Sequence, residues 1–328
     1  MTDTRQTGAP PTFSVIIPTY DRPAQLAVCL ESLTRIDYPP DRWQVIVVDD
    51  GSPGPLETVV TPFRDRLPRL TLLWQENAGP ARARNTGAAH ADGEFLAFTD
   101  DDCAPDRGWL RALAAAAQET PEQGIGGRTV NALLDDVYAG ASQLLIDFLY
   151  DYYNRPGAGG ARFFASNNLC FPAAGFQEIG GFDVRYQRAA AEDRGLCDRW
   201  LAGGRQLRSA EDAVVHHHHA MRLRDFWRQH FHYGAGAYHF HRLRAATSGQ
   251  GAAAGWGGRS RPRLEPPVFY LGLMTYAFRT AESGSRRSPL LLAALMGLSQ
   301  VATAAGYFAE RSRTDRFRRA GTGEESVA

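Results

Sequence analysis

The sequence predicts an α/β fold in which a sheet of parallel strands is covered by helices on both faces. Three observations predict it. Short β-branched and aliphatic runs alternate with helix-like segments through the first hundred residues, the pattern of a sheet buried on both sides. The polar clusters each follow the C-terminal end of such a run, the edge where open α/β sheets bind ligands. With 328 residues, 44% of them hydrophobic and 22% charged, the chain is also long enough to bury a full core.

Taken in order, Phe13-Ser14-Val15-Ile16-Ile17 is the first strand, stopped by Pro18-Thr19-Tyr20. Asp21 is placed to cap a helix with Pro23 in its first turn, and Leu26, Cys29, Leu30 and Leu33 give that helix an apolar face. Gln44 to Val48 is the second strand, ending in Asp49-Asp50-Gly51-Ser52. Leu70 to Trp74 is the third, leading through Asn77-Ala78-Gly79 into an alanine-rich helix that ends near Ala91. Glu94 to Phe98 is the fourth and runs into Asp100-Asp101-Asp102. Thr19, Tyr20, Asp49, Asp50 and the acidic triplet therefore share one rim, and several acids on one edge exceed what turns require.

The second half is less regular. Phe163 to Phe171 reads as a strand carrying Ser166-Asn167-Asn168, and Gly180-Gly181-Phe182-Asp183 as a turn. Glu192-Asp193 opens a helix through Leu196, Trp200 and Leu201, and Asp212 to Val215 is a strand entering His216 to His219. The expected organisation is a disordered N-terminus over 1–12, a folded domain over 13–245, a flexible Gly/Ser/Ala connector over 246–266, an apolar helical extension over 267–310 and an arginine-rich polar tail over 311–328.

Composition narrows the chemistry. The net charge is zero, so no global field recruits nucleic acid. Every one of the 36 lysine-plus-arginine positions is arginine, which excludes a Walker A lysine, a Schiff-base lysine and the serine-lysine hydrolases. Cys29, Cys103, Cys170 and Cys197 lie far apart with no Cys-x-x-Cys pair, the spacing of buried thiols rather than of a zinc or disulfide framework. Met1 to Thr12 is polar, which predicts no secretory leader.

The acidic triplet is a natural divalent-metal site, because carboxylate oxygens suit magnesium or manganese and leave room for diphosphate oxygens. The bland alternative is a solvated helix cap. Asp193, at a helix start and preceded by Glu192, is a candidate general base. One of His216 to His219 could complete a metal site.

Four ordered motifs, Ser14 to Tyr20, Val47 to Ser52, Ala83-Arg84-Asn85-Thr86-Gly87 and Phe98 to Asp102, resemble those of the family 2 glycosyltransferases, over roughly Thr12 to Tyr238. The resemblance implies the GT-A fold, that of nucleotide-diphospho-sugar transferases: a single mixed sheet with helices on both faces, here with a C-terminal helical extension. It implies an inverting transfer from a nucleotide-sugar donor, a UDP-sugar first, to an acceptor hydroxyl. Pro18, Thr19, Tyr20, Asp21, Asp49, Asp50, Arg84 and Asp101 would hold the donor nucleotide and its diphosphate. Asp100, Asp102 and His217 would bind Mn2+ or Mg2+, with Asp102 the first choice and His216 the alternative register. Asn168, Gly181 and Phe182 would face the sugar and acceptor. Asp193, beside Glu192, would be the base.

Arg222 to Arg244 interleaves arginines with Phe226, Trp227, Phe231, Tyr233, Tyr238 and Phe240, and Pro289 to Ala309 is about the length of a bilayer span, though Ser299, Gln300 and Thr303 interrupt it. Arginines follow it closely. The expectation is a cytoplasmic protein attached peripherally to an anionic membrane at its inner face, working in cell-envelope glycan or glycoconjugate synthesis on a glycan, lipid-linked or small-molecule acceptor. The rival readings are a sugar-nucleotide nucleotidyltransferase, which would want a Gly-rich basic loop where Pro18-Thr19-Tyr20-Asp21 stands, and a non-catalytic sugar-binding protein of the same fold.

Overall fold

The computed structural model of the chain describes residues 9–154, 160–186, 190–247, 265–280 and 288–321. The alternating first hundred residues fold as their pattern requires. β1 (Phe13–Thr19) and β2 (Trp43–Asp49) are buried along their whole length. Their flanking helices are α1 (Pro23–Leu33) and the short α2 (Glu57–Val60). β3 (Thr71–Trp74) is the exposed edge, followed by α3 (Pro80–Ala89) and the buried β4 (Phe95–Thr99). These four strands are parallel, and their register sets Thr19 beside Asp49 and Asp49 beside Trp74, so the strand ends form one rim.

Side chains of a strand alternate between faces, and β1 uses both. Phe13, Val15 and Ile17 join Leu26 and Leu30 of α1 in the main core. Trp109, Leu110 and Leu113 of α4 (Trp109–Glu119) belong to the same cluster. On the other face α3 lies so close that a methyl added at Gly87 would stand 2.6 Å from Ile16 and 3.2 Å from Val48. Helices thus cover both faces.

Three further pairings are antiparallel. β7 (Asn168–Pro172) runs against β4, and β6 (Gly124–Asn131) against β7. The short β5 (Cys103–Pro105) runs against β8 (Leu207–His217). Among the described residues the order is β3-β2-β1-β4-β7-β6-β8-β5. Three expectations need correction. The strand expected from Phe163 begins only at Asn168: the Phe164 ring packs over Gly126 of β6, where any Cβ would overlap it, and residues 163–167 do not pair as a strand. Asp21 does not cap α1: it adopts φ 53°, and Arg22 takes the cap position ahead of Pro23. The polar tail expected from 311 is helical as far as Gly321.

Residues up to 130, 160–183 and 196–218 form one unit; 131–154, 184–195 and those from 219 on form a second. The second holds α5 (Val137–Tyr153) and the start of α7 (Glu192–Ala202), α6 (Ala173–Glu178) lying in the first. It also holds α8 (Leu223–Thr247), α9 (Pro267–Arg279) and α10 (Pro289–Gly321). Its core is built from Leu145 and Phe148, Phe226, Phe269 and Leu273, and Leu292 and Met296. α8 and α10 meet backbone to backbone, since a Cβ at Gly234 would overlap the Thr303 carbonyl and one at Gly306 the Phe231 carbonyl. Of the expected connector, residues 248–264 lie outside the described residues, as do 1–8 and 322–328.

His230 of α8 is fully buried, with Phe226 at 4.4 Å and Tyr233 at 5.4 Å between ring centroids, and neither ring nitrogen has a hydrogen-bond partner. Burial pushes its pKa down from 6.5 to about 4. The unfolded chain takes this proton near pH 6.5 and the folded chain does not, so stability falls as pH drops from about 6.5 towards 4. The loss reaches up to about 3 kcal/mol, at about 1.4 kcal/mol per unit. Urea denaturation across that window should show the decline in the wild type and a flatter curve for His230→Phe.

Candidate active site at the acidic strand end

Three consecutive carboxylates at a strand end repel one another, by about 1 kcal/mol at 4 Å in water and several times more where water is excluded. The fold answers each with a donor. Arg84 of α3, 3% exposed, places Nη2 2.7 Å from Asp100 Oδ1 and stacks over the Phe182 ring at 5.4 Å. Arg22, at the head of α1, donates to Asp101 Oδ1 at 3.2 Å and Asp102 Oδ2 at 3.0 Å. Thr19 Oγ1, at the end of β1, donates to Asp101 Oδ2 at 2.8 Å.

The fourth partner arrives from 115 positions downstream in sequence order, on β8. Antiparallel pairing sets His217 opposite Cys103, and the His218 amide donates to the Asp102 carbonyl at 2.7 Å. His217 Nε2 then lies 3.3 Å from Asp102 Oδ1. Of the neighbouring histidines, His216 lies 3.6 Å from Asp106, and His219 contacts Gln229. Asp102 is thus held between an arginine on one oxygen and an imidazole on the other.

The electrostatics follow from burial. Desolvation raises Asp101, Arg22 opposes it and Asp102 adds to it, and the carboxyl is pushed up to about 6. Desolvation lowers His217, but its hydrogen bond to Asp102 and the charges of Asp102 and Asp100 outweigh that, so it titrates above the ordinary histidine value. Burial, reinforced by Asp102 and Asp100, holds the Cys103 thiol protonated well above its usual pKa.

Asp102, Cys103 and His217 each offer a donor atom, all within 4.8 Å of one another. A carboxylate oxygen beside an imidazole nitrogen fits manganese, and the oxygens fit magnesium. Asp100 lies outside that cluster and has one oxygen on Arg84.

Around the rim the acids divide. Asp49 is buried, and its Oδ1 accepts the Ser52 amide at 2.9 Å. Asp50, expected to face the nucleotide, is spent inside the protein. Its oxygens accept Gln75 Nε2 at 2.7 Å and the Ala78 and Gly79 amides at 2.9 Å, tying the β3–α3 turn to β2. Pro18 lies within β1, the Tyr20 ring is half exposed, and the Asp21 amide donates to Ser52 Oγ.

Two residues expected to face sugar are likewise committed to the core. Asn168 is fully buried: its Oδ1 accepts Trp109 Nε1 at 2.9 Å, and its Nδ2 donates to the carbonyls of Ala213 at 2.8 Å and Arg128 at 3.1 Å. A buried amide satisfied three times over is a strut between strands. Phe182 is buried against Phe98 and Phe176. Gly181, at φ 64°, is left-handed, which the turn requires. Glu192 is buried at the head of α7 in the second unit, and Asp193 Oδ1 accepts the Arg194 amide there at 2.7 Å.

Two residues escaped the sequence reading. Arg22 simply follows a turn, and nothing in one sequence separates it from other surface arginines. Asn85 sits inside the Ala-Arg-Asn motif beside Arg84, and its residue type alone does not signal a distant backbone partner. Its Nδ2 donates to the Phe182 carbonyl at 2.7 Å and its Oδ1 accepts the Phe182 amide at 2.8 Å, clamping α3 to the Gly180–Asp183 turn.

Residues 14–176 match the family described as Glycosyl transferase family 2. The chain is 34% identical over 122 residues to the glycosyltransferase AglE of Haloferax volcanii, covering 37% of this chain and 40% of that one. It is 29% identical over 229 residues to the pre-mycofactocin glycosyltransferase of Mycobacterium tuberculosis, covering 68% of this chain and 46% of that one. The chain thus spans less than half the length of these curated relatives. The fold is similar to that of the mannosyltransferase PcManGT from Pyrobaculum calidifontis, solved with GDP-Man and Mn2+, at a TM-score of 0.58 and 19% identity over 90% of this chain and 89% of that one. The fold is of the GT-A type, and the chain is a member of glycosyltransferase family 2.

Replacing Asn85 by Ala leaves the Phe182 amide and carbonyl without their partners and should cost about 2–3 kcal/mol. Chemical denaturation of Asn85→Ala beside the exposed-site control Arg82→Ala checks this, the control staying within about 0.5 kcal/mol of wild type.

Proposed function

We propose that the chain transfers a sugar from a nucleotide-diphosphate donor to an acceptor hydroxyl, metal-dependent and with inversion. The observation that carries the reading is Asp102 bracketed by His217 and Arg22 at the end of β4. Such a cluster is costly to assemble for its own sake and suits a site where diphosphate charge develops. Mn2+ or Mg2+, held by Asp102 and His217 with Asp100 nearby, would supply charge neutralisation at the leaving diphosphate.

The chain's own residues do the rest. Tyr20 offers its half-exposed ring to the base, and Asp49, buried at the end of β2, holds the Ser52 turn at the rim where the ribose would lie. Arg84 holds Asp100 and adds positive charge beside the diphosphate. Asp193, in the first turn of α7, accepts the proton of the acceptor hydroxyl. The acceptor oxygen bonds to the anomeric carbon as the bond from that carbon to the phosphate oxygen breaks, and the nucleoside diphosphate leaves with the electron pair. One displacement inverts the configuration and needs no covalent nucleophile, in keeping with a chain that lacks lysine.

A UDP-sugar is the favoured donor. The complex of PcManGT with GDP-Man and Mn2+ supports a metal-assisted nucleotide-sugar site of this fold. The acceptor is a glycan, a lipid-linked sugar or a small molecule, and the setting is cell-envelope glycan or glycoconjugate synthesis at the inner face of the membrane.

The test is a screen of nucleotide-sugars for nucleoside diphosphate release, with manganese and with chelator. Release with at least one donor, lost on chelation, is the expected result; absence of both release and binding with every donor contradicts the proposal. Asp193→Asn should lose transfer by a factor on the order of 10³ while leaving donor affinity unchanged by calorimetry. A parallel loss of donor affinity would reassign Asp193 to scaffolding.

A further inference from the structure

α9 and α10 each leave an apolar stripe uncovered. On α9 the exposed large side chains are Val268, Leu271, Met274 and Phe278, spaced so that they share one face of the helix. On α10 they include Leu290, Val301 and Phe308, separated by eleven and seven residues and so also on one face, with the exposed Ala294 and Ala304 between them. The stripes are continuous. A Cβ added at Gly297 of α10 would lie 3.5 Å from Met274 Cε, so Met274 closes the seam between the two helices. Soluble proteins rarely leave an apolar face of this extent without a partner.

Charge identifies the partner. Beyond Phe308 the same helix turns basic, with five arginines against Glu310 and Asp315 over residues 309–319. α9 likewise ends on Arg279. An apolar stripe that runs into cationic side chains matches an anionic lipid surface, which offers acyl chains beneath and phosphate above.

The packing also decides how the surface is engaged. α10 is long and apolar enough to cross a bilayer by length and composition. Its other face, however, is fused to α8 through the Gly234 and Gly306 contacts, and Thr303 donates to the His230 carbonyl at 3.2 Å. α8 carries Arg228, Gln229, His232 and His239 along its length, and His239 contacts Glu310 of α10 at 2.9 Å. Taking that pair into hydrocarbon would bury charged and polar side chains. We infer that α9 and α10 form a membrane-docking face whose apolar stripe lies in the headgroup boundary of an anionic bilayer without crossing it. This deepens the membrane setting given above for the acceptor, and it is read without any donor or transfer, so the two readings fail separately.

The test is flotation of the full chain with vesicles of phosphatidylcholine alone or mixed with phosphatidylglycerol. The expected result is flotation with the mixed vesicles, weakened by salt and reversed by alkaline carbonate. Leu271→Glu and Val301→Glu, exposed and therefore harmless to the fold, should lower the bound fraction roughly tenfold. The control Val28→Glu, exposed on α1, should leave it unchanged. No binding to mixed vesicles, or binding that the stripe variants leave intact, overturns the inference. Retention after carbonate overturns the surface mode in favour of a span. A dimer in sedimentation that Val301→Glu splits, without vesicle binding, assigns the face to a second copy of the chain instead.

Discussion

The acidic turn after β4 depends on nitrogen donors that reach it from three directions. Asp100, Asp101 and Asp102 are adjacent, two of them are buried, and each added negative charge raises the cost of the next. Arg84 rises from α3, Arg22 from the head of α1, and His217 from the end of β8. The positions of those three elements are therefore constraints on one another. Because Arg22 reaches both Asp101 and Asp102 from one guanidinium, a lysine there would lose one arm of the bridge, and a lysine at 84 would lose the planar group that lies over the Phe182 ring.

Much of the surrounding structure serves that arrangement. The Asp50 carboxylate pins the β3–α3 turn, which sets where α3 starts and hence where Arg84 arrives. Asn85, one residue on, clamps the same helix to the Gly180–Asp183 turn. Asn168 ties β7 to the backbones of β6 and β8 and to Trp109 of α4, on the side of the sheet from which His217 comes. Polar residues near the site thus divide into those left open to a ligand and those consumed in holding the frame.

That division explains what could be read from the sequence. The four parallel strands and the rim they end on were legible because apolar runs with polar stops are local signals. So were the acidic triplet and the head of α7. Asp50, Asn168 and Phe182 stand at their motif positions, but a motif fixes position only, and their burial and internal partners are set by long-range packing. β6 was invisible: it opens Gly124-Ile125-Gly126-Gly127, without the β-branched run that marks a strand, and those glycines make room for Phe164 and Asn168. The His217–Asp102 contact depends on antiparallel pairing between β5 and β8, a long-range choice that local pattern does not encode.

The metal-assisted transfer proposed above rests on Asp102 and His217 holding a divalent cation together. Electron paramagnetic resonance of Mn2+ titrated into the protein tests it without needing a substrate. The expected result is a saturable site, tightened by a nucleoside diphosphate, that weakens by a factor on the order of 10–100 in His217→Ala and much less in His219→Ala. Equal Mn2+ affinity in wild type, Asp102→Asn and His217→Ala would contradict it.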